Sequence, residues 1–213
     1  EPVFSSAGVE VVILADSCYG ACDLADVKAR QLGCDVLIHC GHSDMGIKTC
    51  LPTLFVEARI NLSPIEILSE ALSEFELKRP GLVTTVQYIG FLEEVKQFLN
   101  SHGLKPEIGA PGYRAKYPGQ ILGCDWEAAK SICAKVDGYL YLGTGRFHPL
   151  GVALATGKRV VAINPIAKGW ESIEAPQDFL NRRKALISRA AGQEELGVLV
   201  STKPGQARFK LAR

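Results

Sequence analysis

Cysteines are the chemically conspicuous residues of this chain: seven occur in 213 residues. Two stand four apart in Asp16-Ser17-Cys18-Tyr19-Gly20-Ala21-Cys22-Asp23. That stretch follows the apolar β-branched run 9–14 and precedes a helical pattern carrying Leu24, Val27 and Leu32. It therefore reads as a strand-to-helix loop, at the edge of a parallel sheet where α/β proteins bind ligands. A helix N-terminus there favours thiolate, the metal-binding form. The alternative is that both thiols are small apolar groups filling a helix–sheet gap. Both readings are open from this loop alone. Cys124 lies in a second Gly-containing loop before a helix, Ile121-Leu122-Gly123-Cys124. The three thiols lack the compact spacing of a structural zinc site. Soft iron selects thiolate, so loops of two units meeting at a cleft suit an iron–sulfur cluster. Three ligands would leave one iron open. Cys34, Cys40, Cys50 and Cys133 read instead as packing residues.

Two further loops have the chemistry of anion or nucleoside sites. Gly143-Thr144-Gly145-Arg146-Phe147-His148 leaves a strand and enters a helix, where free backbone N–H groups attract carboxylate or phosphate. Ser201-Thr202-Lys203-Pro204-Gly205-Gln206 offers the same with an ammonium added. Its order and spacing exclude a phosphate loop of the GxxxxGK[ST] kind. His39 and His42 flank a third strand-end loop, the first expected to be buried and hydrogen-bonded, the second nearer the edge. No residue is nominated as a general base.

The elements that must position these loops repeat. An apolar strand, a small-residue loop and a helical stretch recur at 9–16, 81–88 and 196–200. The first unit continues with strands over 35–40 and 54–60 and a helix over 64–76, with Lys78-Arg79-Pro80-Gly81 as linker. The second has strands at 81–88, 106–109, 138–142 and 159–163. Its helices are expected from about 91 to 99, from Asp125 as N-cap through 134, and after Arg146 through 155. Alternation of this kind implies parallel pairing and right-handed crossovers. The expected class is α/β, with repeated α/β/α units and small parallel sheets around a central cleft. The expected division is a first unit at 1–79, a four-stranded second unit at 80–174, a connecting helix at 175–194, and the start of a third unit at 195–213. The connecting helix shows an apolar stripe of Phe179, Ala185 and Ile187. A lone strand and helix cannot bury their own faces, so the third unit reads as part of something longer.

Composition narrows the class of function. Hydrophobic residues make up 47% and charged residues 22%, at a net charge of +1, so a substantial core is possible and a basic nucleic-acid face is not expected. No apolar run approaches the ~20 residues of a membrane span, and no signal-peptide pattern opens the chain. Cysteine abundance without a secretory signal suggests a reducing cytoplasm.

Four co-linear motifs carry a more specific resemblance: Tyr19-Gly20-Ala21-Cys22-Asp23, Ile121-Leu122-Gly123-Cys124, Gly145-Arg146-Phe147-His148-Pro149-Leu150-Gly151 and Ser201-Thr202-Lys203-Pro204-Gly205-Gln206. In order and along essentially the whole chain, these resemble archaeal diphthamide synthases, the 2-(3-amino-3-carboxypropyl)histidine synthases. The resemblance implies three homologous α/β units around a [4Fe-4S] cluster, one cysteine from each, and a homodimer. It implies cleavage of S-adenosylmethionine to a 3-amino-3-carboxypropyl radical that adds to imidazole C2 of a histidine of translation elongation factor 2. Carried over by residue, Cys22 and Cys124 are cluster ligands. The family's third cysteine lies farther along than Arg213, so this chain is not expected to complete the site or to be active by itself. Cys18 matches no family ligand. Gly143, Thr144, Gly145, Arg146, His148, Ser201, Thr202, Lys203, Gly205 and Gln206 would line the S-adenosylmethionine pocket. Two other readings keep the fold: a nucleotide or nucleotide-sugar binding module with buried cysteines, and a non-catalytic scaffold subunit.

Overall fold

A computed structural model of the chain describes residues 6–74, 76–203 and 205–213. Residues 1–5, Phe75 of the expected 64–76 helix and Pro204 of the 201–206 loop lie outside it. The element order is α1 (Asp26–Gln31), β1 (Leu37–Cys40), β2 (Thr53–Val56), α2 (Ile65–Ala71), β3 (Pro80–Thr84) and α3 (Leu92–Ser101). It continues with β4 (Glu107–Ile108), α4 (Glu127–Lys130), β5 (Gly138–Leu142), α5 (Phe147–Thr156), β6 (Val160–Asn164), β7 (Gly169–Ile173), α6 (Gln177–Ala191) and α7 (Phe209–Ala212). Among the described residues no helix is long and apolar enough to cross a membrane.

The chain separates into two compact units, Glu57–Leu199 and Glu1–Val56 with Val200–Arg213. The larger contains a five-stranded sheet of order β4-β3-β5-β6-β7, parallel except for β7. Its central strand β5 is buried at every position, as a strand covered on both faces must be. Side chains alternate between two cores with the period of two that a strand imposes. Leu82, Leu140, Leu142, Val161 and Ile163 face α2 and α3, packing on Leu68, Val95 and Leu99. Val83, Tyr139, Tyr141, Val160 and Ala162 face α4 and α5, packing on Ala128, Val152 and Ala153. Gly81 leaves room for the Tyr139 ring, since a Cβ there would lie 2.6 Å from it. Gly157 at φ +68° ends α5 in the left-handed conformation common at helix C-termini.

The smaller unit holds the parallel pair β1–β2, registered Leu37 to Thr53 and Cys40 to Val56. Its buried residues include Ala21, Leu24 and Ala29, with the polar His39, Ser43 and Asp26. The Asp26 carboxylate accepts the Cys50 N–H at 2.7 Å.

Several expected elements are corrected. Residues 9–14 are not a strand: no ladder partner occurs among the described residues, and Ile13 is 73% exposed. Residues 196–200 are likewise not a strand, with Leu199 fully exposed. β-Branched composition favours a pleated surface only where a partner edge exists. The second sheet has five strands rather than four, because β7 folds back antiparallel on β6. The unit boundary falls at 56/57 rather than at 79/80, because Ile67, Leu68, Ala71 and Leu77 pack into the core of the larger sheet. Residues 200–213 group with the first unit. The α6 stripe of Phe179, Ala185 and Ile187 is exposed, and no residue of that helix is buried. Cys40 is exposed because the buried alternate position of β1 belongs to His39.

Candidate metal and cofactor site

Cys22 and Cys124 occupy the same place in two similar turns. In Gly20-Ala21-Cys22-Asp23 the Asp23 N–H donates to Gly20 O at 2.9 Å. In Leu122-Gly123-Cys124-Asp125 the Asp125 N–H donates to Leu122 O at 3.1 Å, and the Leu122 N–H returns to Asp125 O at 2.9 Å. Each turn thus presents its cysteine at the third position and follows it with an aspartate. Asp23 accepts the Tyr19 N–H at 3.2 Å. Buried Asp125 accepts the N–H of Glu127 at 3.0 Å and of Arg114 at 3.1 Å. A carboxylate on two backbone donors holds a loop firmly, because a buried unpaired N–H costs about 1–3 kcal/mol.

Each sulfur has an N–H donor. The Gln206 side-chain amide donates to Cys22 Sγ at 3.4 Å. Arg114 Nη1 donates to Cys124 Sγ at 3.4 Å, while its Nε donates to the Tyr113 hydroxyl at 2.7 Å. Burial alone would lower the Arg114 pKa, but the Cys124 and Tyr113 contacts outweigh it and raise it. Cys22 is half-buried, Cys124 is exposed, and both are free thiols. Accessible thiols with donors on sulfur suit iron–sulfur ligation, since such hydrogen bonds tune cluster potential.

The 201–206 loop sits against the Cys22 turn. The Gly205 N–H donates to Cys22 O at 3.1 Å, and a Cβ on Gly205 would lie 2.6 Å from Cys22 Cα and O. Lys203 pairs with Asp23, and its ammonium lies 5.4 Å from the Tyr19 ring centroid. Burial raises the Asp23 pKa, but the Lys203 ammonium and the Tyr19 N–H outweigh it, so the carboxyl sits below its ordinary range. Ser201 Oγ accepts the Lys203 N–H at 3.2 Å, and Thr202 is exposed. His39 is buried and hydrogen-bonded, as expected, with its Nε2 3.1 Å from His42 Nδ1. Burial lowers the pKa of both imidazoles; for His39 the charge of His42 adds to the effect.

The 143–148 loop lies in the larger unit, where Gly143 is required at its position. Its φ is +146°, and a Cβ would come within 2.5 Å of the Tyr141 hydroxyl. Gly143 and Gly145 line a cleft of about 200 Å³ with Asn164, Trp170 and Glu171. Small-molecule sites run roughly 300–1,000 Å³, so this cleft fits one end of a ligand. Thr144 and Arg146 are exposed, and Arg146 Nε pairs with Glu171 at 3.2 Å. The His148 ring is stacked on Tyr141 with centroids 6.3 Å apart. Burial raises the Tyr141 pKa, so that phenol stays neutral.

Within the smaller unit, then, Cys22, Lys203, Gly205 and Gln206 are brought together. Within the larger unit, Cys124 and the 143–148 loop are each placed at strand or turn ends. Arg114, Asn164, Trp170 and Glu171 were not anticipated. Arg114 is ten residues from the sulfur it meets, Asn164 ends β6 one residue past the expected strand, and Trp170 and Glu171 lie on β7, which no local pattern announced.

Comparison with known proteins follows this geometry. The family model for diphthamide synthesis proteins matches residues 2–213. A 2-(3-amino-3-carboxypropyl)histidine synthase of Pyrococcus horikoshii is 43% identical over 96% of this chain and 59% of its own length. One from Methanocaldococcus jannaschii is 30% identical over 95% of the chain and 56% of that protein. The crystal structure of Dph2 from Pyrococcus horikoshii with a 4Fe-4S cluster superposes with a TM-score of 0.88 at 40% identity, covering 99% of this chain and 62% of that one. The chain thus spans under two thirds of these relatives' lengths. With its motifs, fold and extent of match in agreement, the chain belongs to the diphthamide synthesis protein family.

Proposed function

We propose that this chain is the cluster-bearing part of a 2-(3-amino-3-carboxypropyl)histidine synthase, acting in the first step of diphthamide formation on a histidine of translation elongation factor 2. The observation that carries the reading is the pair of matching turns, each ending in Cys-Asp and each supplying its sulfur with an N–H donor. Cys22 and Cys124 would hold a [4Fe-4S] cluster, with a third thiolate from sequence of the longer family protein. When bound there, the cluster would supply the one-electron chemistry for transferring the 3-amino-3-carboxypropyl group of S-adenosylmethionine to imidazole C2 by a radical route.

This chain's residues bind and orient. Gln206 and Arg114 direct N–H groups at the two sulfurs and so orient them. The Lys203–Asp23 pair and the Gly205 N–H keep the 201–206 loop on the Cys22 turn. The Gly143 and Gly145 cleft would take one end of S-adenosylmethionine, with Thr144, Arg146 and His148 at its margin and Ser201 and Thr202 completing the second loop. A cytoplasmic homodimer belongs to the same reading.

Anaerobic reconstitution of the full-length protein tests it. Cys22→Ala or Cys124→Ala is expected to abolish the brown cluster absorbance and the transfer of the 3-amino-3-carboxypropyl group. Full absorbance and turnover in either variant would remove that residue from the ligand set. Uptake of a sugar nucleotide in place of S-adenosylmethionine would favour a binding module instead.

A further inference from the structure

Cys18, His39 and His42 have no part in the reading above, yet they converge. Cys18 Sγ and one ring nitrogen from each histidine all lie within 4.8 Å of one another. His39 Nε2 and His42 Nδ1 are 3.1 Å apart. We propose that these three side chains form a second metal site, binding a borderline-soft divalent cation of which zinc is the reference case.

The donor set fits that cation. One thiolate and two imidazoles match the mixed sulfur and nitrogen ligation zinc accepts, with a fourth position left for water. Zinc bonds of about 2.0–2.1 Å to nitrogen and 2.3 Å to sulfur put tetrahedral ligands about 3.3 Å (N to N) and 3.6 Å (N to S) apart. The imidazole nitrogens already stand at nearly that separation. Cys18 needs the larger adjustment and is free to make it, being exposed on a loop.

The backbone prepares the arrangement. His39 occupies the one buried position of β1. Gly41, at φ +89°, turns the chain directly after that strand, and its N–H is anchored to Val56 O at 2.7 Å. His42 is thereby returned to the His39 ring, with centroids 5.1 Å apart. Opposite them, a Cβ on Gly20 would stand 3.6 Å from the His42 ring, so the Cys22 turn already abuts this loop. The Cys18 thiol lies 3.4 Å from Gly20 O and 3.6 Å from Asp23 O, on that same turn. A cation here would tie the Cys22 turn to the end of β1.

Proton accounting is simple and involves no redox change. Coordination releases the Cys18 thiol proton. The proton shared between His39 Nε2 and His42 Nδ1 moves to the far nitrogen of its own ring, leaving both imidazoles neutral.

Cobalt(II), a coloured stand-in for zinc, tests the site in the anaerobic, iron-free protein. To keep the cluster thiols out of the reading, the titration is repeated in the Cys22→Ser/Cys124→Ser double variant. The expected result is one cobalt per chain in both proteins, with thiolate-to-cobalt charge transfer and the intense visible bands of tetrahedral cobalt, all displaced by zinc. Added to that double variant, Cys18→Ser, at an exposed position, should abolish the charge-transfer band, and His42→Gln should weaken binding at least tenfold; circular dichroism confirms their fold. Absence of the band from the double variant, or its persistence in Cys18→Ser, would overturn the site. Because iron and S-adenosylmethionine take no part, either result leaves the cluster assignment to its own test.

Discussion

At the scale of single residues, the aspartate after each cysteine matters as much as the thiol. Asp125 ties its own turn to the 112–120 loop and so brings Arg114 to the Cys124 sulfur. The far end of that loop is held by Glu57, which accepts from the Tyr117 hydroxyl at 2.8 Å, Arg59 Nη2 at 2.8 Å and Lys116 Nζ at 3.4 Å. Burial would raise the Glu57 pKa, but Tyr117, Arg59 and Lys116 outweigh it and hold it below the carboxylate norm. A depressed folded pKa means stabilisation that is complete above the unfolded value of about 4.3 and is lost as pH falls through the folded one. Glu57→Gln should therefore cost about 1–2 kcal/mol at neutral pH, a figure discounted because Arg59 and Lys116 are half exposed. Urea unfolding should show that difference shrinking once the pH drops below about 4. A difference constant with pH would show that the charge on Glu57 contributes nothing.

Among elements, the informative contact is between the 201–206 loop and the Cys22 turn. Gly205 is required there by close approach, because its Cβ would meet Cys22 backbone at 2.6 Å and that backbone cannot swing aside like a side-chain tip. Gly205→Ala is expected to break the Gly205 N–H bond to Cys22 O and free Gln206 from the sulfur. Hydrogen exchange should then quicken at residues 20–23 and at Lys203, Gly205 and Gln206, with β3, β5 and β6 unchanged. Unaltered protection at Cys22 and Asp23 would mean that the loop does not brace the turn.

At the scale of the whole molecule, α2 belongs to the larger unit although it precedes the Lys78-Arg79-Pro80-Gly81 linker. Ile67, Leu68 and Leu77 bury their side chains in the core of that unit. At about 1.5–3 kcal/mol for each buried large side chain, their removal costs on the order of 5 kcal/mol, comparable to the net stability of a domain. A fragment of residues 57–199 should consequently unfold cooperatively by circular dichroism. One of 80–199 should lose that cooperativity or aggregate. Equal stability of the two fragments would restore the boundary expected at 79/80.

Local chemistry written along the chain determined much of this protein. Strand β5 appears where its apolar run ends in glycine, α5 follows the Gly-Arg loop, and Cys22 and Cys124 stand out as thiols in glycine-containing loops ahead of helices. The four motifs carried the family. Tertiary structure alone decided what depends on a partner distant in the sequence. Residues 9–14 and 196–200 have strand composition and no ladder partner among the described residues, whereas β7 has an unremarkable sequence and forms because β6 offers it an edge. Arg114 reaches Cys124, Gln206 reaches Cys22, and Cys18 meets His39 and His42 through loop closures that no spacing rule encodes. Propensity is a property of the segment, but pairing, burial and ligation are properties of what the fold sets beside it.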